Sequence, residues 1–270
     1  MTSLNLKRVL ITGGASGIGR ALALAFSQGG AEIVLTDIDE QALEATSEEI
    51  RSRDGRCRAY RLDVTNHRQI QEVRERLHAE AGSIDILINN AGIVYGGPFD
   101  EVPLDKHLRT YEINTMGLVA ATHVFFPDVI ASPAGHFVFI ASASGFVGLP
   151  NGTSYASSKW AAIGFAESIR AELTHRKLDH VHVTTVCPSY VDTGLFDGVK
   201  PPKTTRLLTP DEVAGKVVAA VERNKVWVME PWIVKLTPVL KHALPDVVGD
   251  TLADVLGANA SMDTWRGHDA

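Results

Sequence analysis

The chain has 270 residues, 45% of them hydrophobic, 21% charged and 7% aromatic, which is the balance of a globular protein with a large core and excludes a disordered or fibrous one. A net charge of −6 and a pI near 5.9, with no basic tail, argue against nucleic acid as a partner. Cys57 and Cys187 form no C-x-x-C and the ten histidines show no metal-ligand spacing. A disulfide scaffold and a metal site are therefore not expected, and a reducing compartment is the default. The few residues before Lys7-Arg8 leave no room for the apolar region of a signal peptide. No run of about 18 uncharged apolar residues occurs, so the expectation is a cytoplasmic protein without a membrane span.

In chain order, residues 9–12 read as a first strand followed by a glycine cluster. A helix follows over 17–30, with Ile18, Ala21, Leu22, Ala25 and Phe26 three and four apart and Gly29-Gly30 as its stop. Residues 33–35 form a second strand. Asp39 caps a helix that runs to about Arg53, with Asp54-Gly55 ending it. A third strand (59–62), a third helix (66–81) and a fourth strand (84–88) continue the beat. The second half repeats it with longer pieces: helix 105–130, strand 137–142, helix 153–176 and strand 181–186. A helix over 210–223, capped by Thr209 with Pro210 in its first position, precedes a last strand at 226–229. Strands without polar alternation, separated by helices, predict an α/β protein with a doubly wound parallel sheet covered on both faces. No linker interrupts the spacing, so residues 1–270 are expected to form a single domain.

The segment Thr12-Gly13-Gly14-Ala15-Ser16-Gly17-Ile18-Gly19 lies between the first strand and the first helix. Glycine there lets the chain turn sharply and lets a pyrophosphate approach backbone N–H groups at the positive end of a helix. A glycine-rich structural turn is the alternative, and the strand–turn–helix context argues against it. Asp37 ends the second strand, where a carboxylate can accept both ribose hydroxyls and repel the 2′-phosphate of NADP. No arginine adjoins it in sequence, which favours NAD. Asp63 follows the third strand, where it could meet the adenine amino group with Val64 beside it. Asn89-Asn90-Ala91-Gly92 follows the fourth, with small residues that let the chain pass beneath the ribose.

Tyr155 and Lys159 sit four apart on one helix face, where the ammonium is expected to lower the phenol pKa. Ser142 ends the preceding strand at the carboxyl edge of the sheet. Asn114 lies inside a long helix, where asparagine is a poor helix former unless it has a task. The joint occurrence and order of Thr12-Gly13-x-x-x-Gly17-x-Gly19, Asp63, Asn90-Ala91-Gly92, Asn114, Ser142, Tyr155-x-x-x-Lys159 and Pro188 resemble the short-chain dehydrogenase/reductase family over about residues 5–230. The resemblance implies a Rossmann-like fold with a seven-stranded parallel sheet, a homodimer or homotetramer, and a tetrad of Asn114, Ser142, Tyr155 and Lys159. In it Tyr155 is the acid/base, Ser142 hydrogen-bonds the reacting oxygen, and Lys159 holds the nicotinamide ribose. Asn114 supports a proton-relaying water, and Pro188, Val191 and Thr193 adjoin the carboxamide. Ser189 stands where the family usually has glycine.

Residues 194–209, with Leu195, Phe196, Val199, Leu207 and Leu208, form an apolar substrate lid. The extension over 231–270 is also apolar-rich. Loosely, the C-terminal part is similar to the branch of retinol and 17β-hydroxysteroid dehydrogenases, which implies an apolar pocket. The expected substrate is therefore a lipophilic secondary alcohol or ketone. The competing readings are an NADPH-dependent 3-ketoacyl or carbonyl reductase, which Asp37 opposes, and a non-catalytic NAD(H) sensor, which intact Tyr155 and Lys159 oppose. The extension has three open roles: pocket wall, subunit contact, or peripheral membrane contact, the last opposed by Pro238 and Pro245. Trp160 is expected in core or subunit contact.

Overall fold

The computed structural model describes residues 2–267, save the side chains of His242 and Asp246. Seven strands, β1 (Arg8–Thr12), β2 (Glu32–Asp37), β3 (Arg56–Arg61), β4 (Ile86–Asn89), β5 (Gly135–Ile140), β6 (Val181–Pro188) and β7 (Trp227–Glu230), form one parallel sheet in the order β3-β2-β1-β4-β5-β6-β7. Between them run α1 (Gly17–Gln28), α2 (Glu40–Ser52), α3 (His67–Glu80), α4 (Leu104–Tyr111), α5 (Leu118–Ala131), α6 (Thr153–His175) and α7 (Pro210–Glu222). Val9, Ile11, Ile33, Leu35 and Ile88 face one side of the sheet and pack with side chains of α1, α2 and α7. Leu10, Val34, Leu87, Phe137 and Phe139 face the other, among side chains of α3, α5 and α6. Burial on both faces removes any polar register from the strands, and the sequence shows this as continuous apolar runs. From β3 at one edge the chain returns to β4 beside β1. The loops after β1 and β4 therefore diverge and open a crevice at the carboxyl ends of the strands.

The helix termini follow their capping chemistry. Asp39 accepts the Ala42 N–H at 3.0 Å, and Gly29 ends α1. Edge strand β3 begins at Arg56 rather than at residue 59, because an edge tolerates the exposed arginines that broke the apolar pattern. Thr209 and Glu212 form a reciprocal capping box at α7: the Thr209 hydroxyl accepts the Glu212 N–H at 3.2 Å, and the Glu212 carboxylate accepts the Thr209 N–H at 2.9 Å. Thr209→Ala is expected to cost about 1 kcal/mol, a fall in Tm of about 2 °C, measured by thermal denaturation.

The long helix predicted over 105–130 contains a π-helical turn, Glu112–Gly117, between α4 and α5. By length and composition Leu104–Ala131 is apolar enough to cross a membrane, although its sequence has no fully uncharged run of that length. Leu118, Phe125 and Val129 instead spend its apolar face on the sheet. After β7, the extension forms α8 (Thr237–Ala243) and α9 (Asp246–Leu256), separated at Pro245. Lys241 places its ammonium 3.7 Å above the Trp160 ring, whose Nε1 donates to the carbonyls of Ser144 and Val147. Trp160 thus receives the chain's own extension, a contact across 81 positions that helix periodicity cannot report.

Candidate active site

The crevice is a cleft of about 350 Å³ lined at one end by Gly13, Ser16, Gly17, Ile18, Asp37, Asp63, Val64, Asn90, Ala91 and Gly92. At the other end stand Ser142, Tyr155, Lys159, Pro188, Val191 and Thr193. Strands β1 to β6 each contribute their carboxyl end or the residues just beyond it, which is why positions scattered over 180 residues of sequence meet.

At the first end, backbone geometry is set by close approach. Gly13 has φ +62°, and a Cβ there would lie 2.8 Å from the Ala91 Cα, so the loops after β1 and β4 touch as bare backbone. Asn90 secures the contact: its Nδ2 donates to the carbonyls of Thr12 at 3.0 Å and Gly13 at 2.7 Å. The Thr12 hydroxyl accepts the Asn90 N–H from the other side. Ser16 precedes α1 without capping it, and no acidic residue stands in the first turn. The open N–H groups and positive dipole end therefore face the cleft and suit an anion. Asp37 is oriented by the N–H groups of Ala15 at 3.0 Å and Asp39 at 3.2 Å. Asp63 accepts both the N–H and the hydroxyl of Thr65, at 2.9 and 2.7 Å, and meets Arg109 at 3.4 Å. These partners outweigh burial and hold its carboxyl below the usual range.

At the second end, α6 carries Tyr155 and Lys159 against the end of β5. Lys159 Nζ donates to the Ile140 carbonyl at 2.9 Å. The Ser142 hydroxyl accepts from the N–H and the hydroxyl of Ser144, at 3.2 and 3.0 Å. Burial is the largest influence on both titrating groups, and each is pushed toward its neutral form. The Lys159 ammonium falls to about 8, and the Tyr155 phenol rises above its ordinary value, opposed by a hydrogen bond from Ser142. This corrects the expectation that Lys159 lowers the phenol: its ammonium is 5.7 Å from the Tyr155 ring centroid, and burial overrides so distant a charge in the free chain.

Two of the expected site residues do not line the cleft. Gly19 sits behind the glycine loop, where a Cβ would come within 1.9 Å of the Gly13 carbonyl oxygen. Asn114, 1% exposed, lies in the π-helical turn. Its Oδ1 accepts the Ile93 N–H at 2.8 Å, while Nδ2 donates to the Ile93 carbonyl and the Ser158 hydroxyl. With both amide donors used, it anchors the chain after β4 to α6 rather than facing the cleft.

The comparisons with known proteins agree with this geometry. The family model described as short chain dehydrogenase matches residues 7–203. The chain belongs to the short-chain dehydrogenase family. It is 35% identical to mouse (Mus musculus) epidermal retinol dehydrogenase 2 over 96% of this chain and 85% of that one. It is 31% identical to human (Homo sapiens) estradiol 17-beta-dehydrogenase 11, over 88% and 79%. A short-chain dehydrogenase/reductase from Burkholderia phymatum, solved in complex with NAD, superposes with a TM-score of 0.83 at 26% identity, covering 93% of this chain and 97% of that one. This short-chain dehydrogenase is thus an NAD(P)-dependent oxidoreductase with the seven-stranded sheet that the resemblance implied.

The cleft residues fit the dinucleotide: an uncapped helix end, a glycine loop approached by bare backbone, and carboxylates at the rim. Sequence reasoning missed Arg109, Ile38 and Ile93 in the lining, none of which belongs to a local motif. It also missed an arginine beside Asp37, since β3 sets Arg61 in register with it. The Arg61 guanidinium turns instead toward Glu40, at 3.7 Å. Ser189, in place of glycine, uses its N–H to bond the Glu230 carbonyl at 2.7 Å, continuing the pairing of β6 with β7.

Proposed function

We propose that this enzyme is an NAD-dependent dehydrogenase that interconverts a lipophilic secondary alcohol and its ketone, with Tyr155 as the acid/base. The observation that carries the reading is that Ser142, Tyr155 and Lys159 line one end of the cleft together, with the Tyr155 ring packed in an apolar cluster with Val94, Leu195 and Phe196. A bound nicotinamide supplies the hydride acceptor or donor. In ketone reduction the Tyr155 O–H bond breaks and its proton passes to the carbonyl oxygen; in alcohol oxidation the phenolate oxygen takes that proton back. The Ser142 hydroxyl holds the same oxygen and limits its rotation. Lys159 brings positive charge beside the developing phenolate, and burial around the pair strengthens that interaction when both are charged. Asn114 acts one step back, fixing Ile93 and Ser158 so that the floor of the pocket keeps its shape. The relatives named for retinol and estradiol support an apolar substrate of retinoid or steroid size, and of the two only estradiol, with a secondary 17β-hydroxyl, supports the secondary-alcohol form.

The carboxylate of Asp37 supports NAD over NADP, because a 2′-phosphate would meet a fixed negative charge. Asp37→Ala is expected to raise the ratio of kcat/KM with NADP to that with NAD by roughly a hundredfold, the scale of a like-charge clash of a few kcal/mol. Initial rates with the two nucleotides measure it. Activity itself is tested by following reduced nicotinamide with lipophilic alcohols. A folded protein that binds NAD and turns over no such alcohol or ketone would sink the reading.

A further inference from the structure

Tyr155 stands at the inner end of the cleft, yet only 5% of its surface is exposed. Its cover comes from two distant parts of the chain. Phe196, in the loop after β6, stands edge-on to its ring with centroids 5.4 Å apart. Met262, from the end of the C-terminal extension, is buried with Tyr155 and Val94 in one apolar cluster. Trp265 packs against the same cluster, and its Nε1 donates to the Leu195 carbonyl at 3.2 Å.

The segment over 258–266 is clamped in place. The hydroxyls of Tyr190 and Ser261 are 2.7 Å apart, the Thr264 hydroxyl donates to the Gly198 carbonyl at 2.6 Å, and the Arg266 N–H donates to the Asp197 carbonyl at 2.8 Å. Two glycines are shaped to it. A Cβ on Gly96 would come within 2.7 Å of two indole atoms of Trp265, and one on Gly198, where φ is +83°, within 2.2 Å of the Thr264 carbonyl oxygen. Neither position admits a side chain while the segment stays where it is.

We infer that residues 258–266 back the specificity-determining wall of the substrate pocket: Met262 and Trp265 hold the cleft-lining Leu195 and Phe196 against Tyr155 and so set how large an apolar alcohol reaches its hydroxyl. The inference rests on the reading of the cleft as an alcohol site. A substrate whose oxygen meets Ser142 and Tyr155 must lay its carbon skeleton beside the Tyr155 ring, where this cluster stands. Size is what such a wall discriminates, since apolar contacts sort substrates by volume and each methylene is worth roughly tenfold or more in kcat/KM.

The test compares Trp265→Ala and Gly96→Ala with the parent enzyme on secondary alcohols graded from small alkanols to steroid-sized rings. Both variants are expected to shift kcat/KM in favour of the larger alcohols by roughly tenfold, with NADH affinity unchanged and faster amide hydrogen exchange over 194–199. An unchanged size ratio in variants of an enzyme that turns over the panel overturns the wall. If the parent turns over none of the alcohols, the proposed activity fails instead, and exchange decides the wall. Faster exchange over 194–199 in both variants then upholds the clamp, and unchanged exchange overturns it.

Discussion

Replacing Tyr155 by Phe is expected to lower kcat by on the order of 10²- to 10⁴-fold, the usual worth of a positioned proton donor, while NADH binding and Tm stay near their original values. The substitution keeps the ring, and so keeps its edge-on contact with Phe196 and its place beside Val94 and Met262; only the hydroxyl leaves. That hydroxyl is buried, and burial raises its pKa while Ser142 opposes the rise. A protonated phenol is the form that donates in ketone reduction. Oxidation needs the phenolate, and Lys159, with its ammonium 5.7 Å from the Tyr155 ring centroid, has its own charge weakened by burial to a pKa of about 8. Steady-state rates in both directions, NADH fluorescence titration and thermal denaturation read the three quantities separately. Turnover near the parent value would remove Tyr155 from the proton transfer.

Local spacing made much of this enzyme legible. The beat of strands and helices, the glycine turn, and the helical offset between Tyr155 and Lys159 all depend on residues within a few positions of one another. Short range is where periodicity and capping rules apply. Asp39 and Thr209 were readable as caps for the same reason. The features that escaped are made by contacts between distant segments. Arg61 reaches the neighbourhood of Asp37 only through the register of β2 with β3. Asn114 reads as a poor helix former, yet its partners, Ile93 and Ser158, lie on other elements. The sign of the Tyr155 shift was misread because spacing reports a nearby charge but not the packing that desolvates the phenol. The extension over 231–270 left three roles open. Met262 and Trp265 pack it into the apolar cluster around Tyr155, and Trp265 bonds the carbonyl of Leu195, 70 positions earlier.

Gly19→Ala is expected to weaken NADH binding by roughly ten- to a hundredfold, although Gly19 does not line the cleft. In an isolated helix the change would be favourable by about 1 kcal/mol, since alanine outranks glycine in helix propensity. Here the added Cβ meets the Gly13 carbonyl oxygen at 1.9 Å and the Asn90 Nδ2 at 2.6 Å. Both are held: Asn90 donates to that same oxygen and to Thr12, so neither is the free end of a flexible side chain. Overpacking of this kind costs about 1–3 kcal/mol, which exceeds the propensity gain at its upper end, and the clash falls on the loop that must cradle phosphate. Displacing Gly13 also disturbs its approach to Ala91, so the two loops that meet at the cleft separate together. Gly164→Ala on α6 supplies the contrast, because a Cβ there meets nothing within 4 Å. It should leave NADH binding unchanged and raise Tm slightly. NADH fluorescence titrations of the two variants distinguish a steric requirement at Gly19 from a general effect of adding methyl groups to helices. Equal affinities in both would show that the glycine loop tolerates the shift and that the nucleotide is held by other contacts.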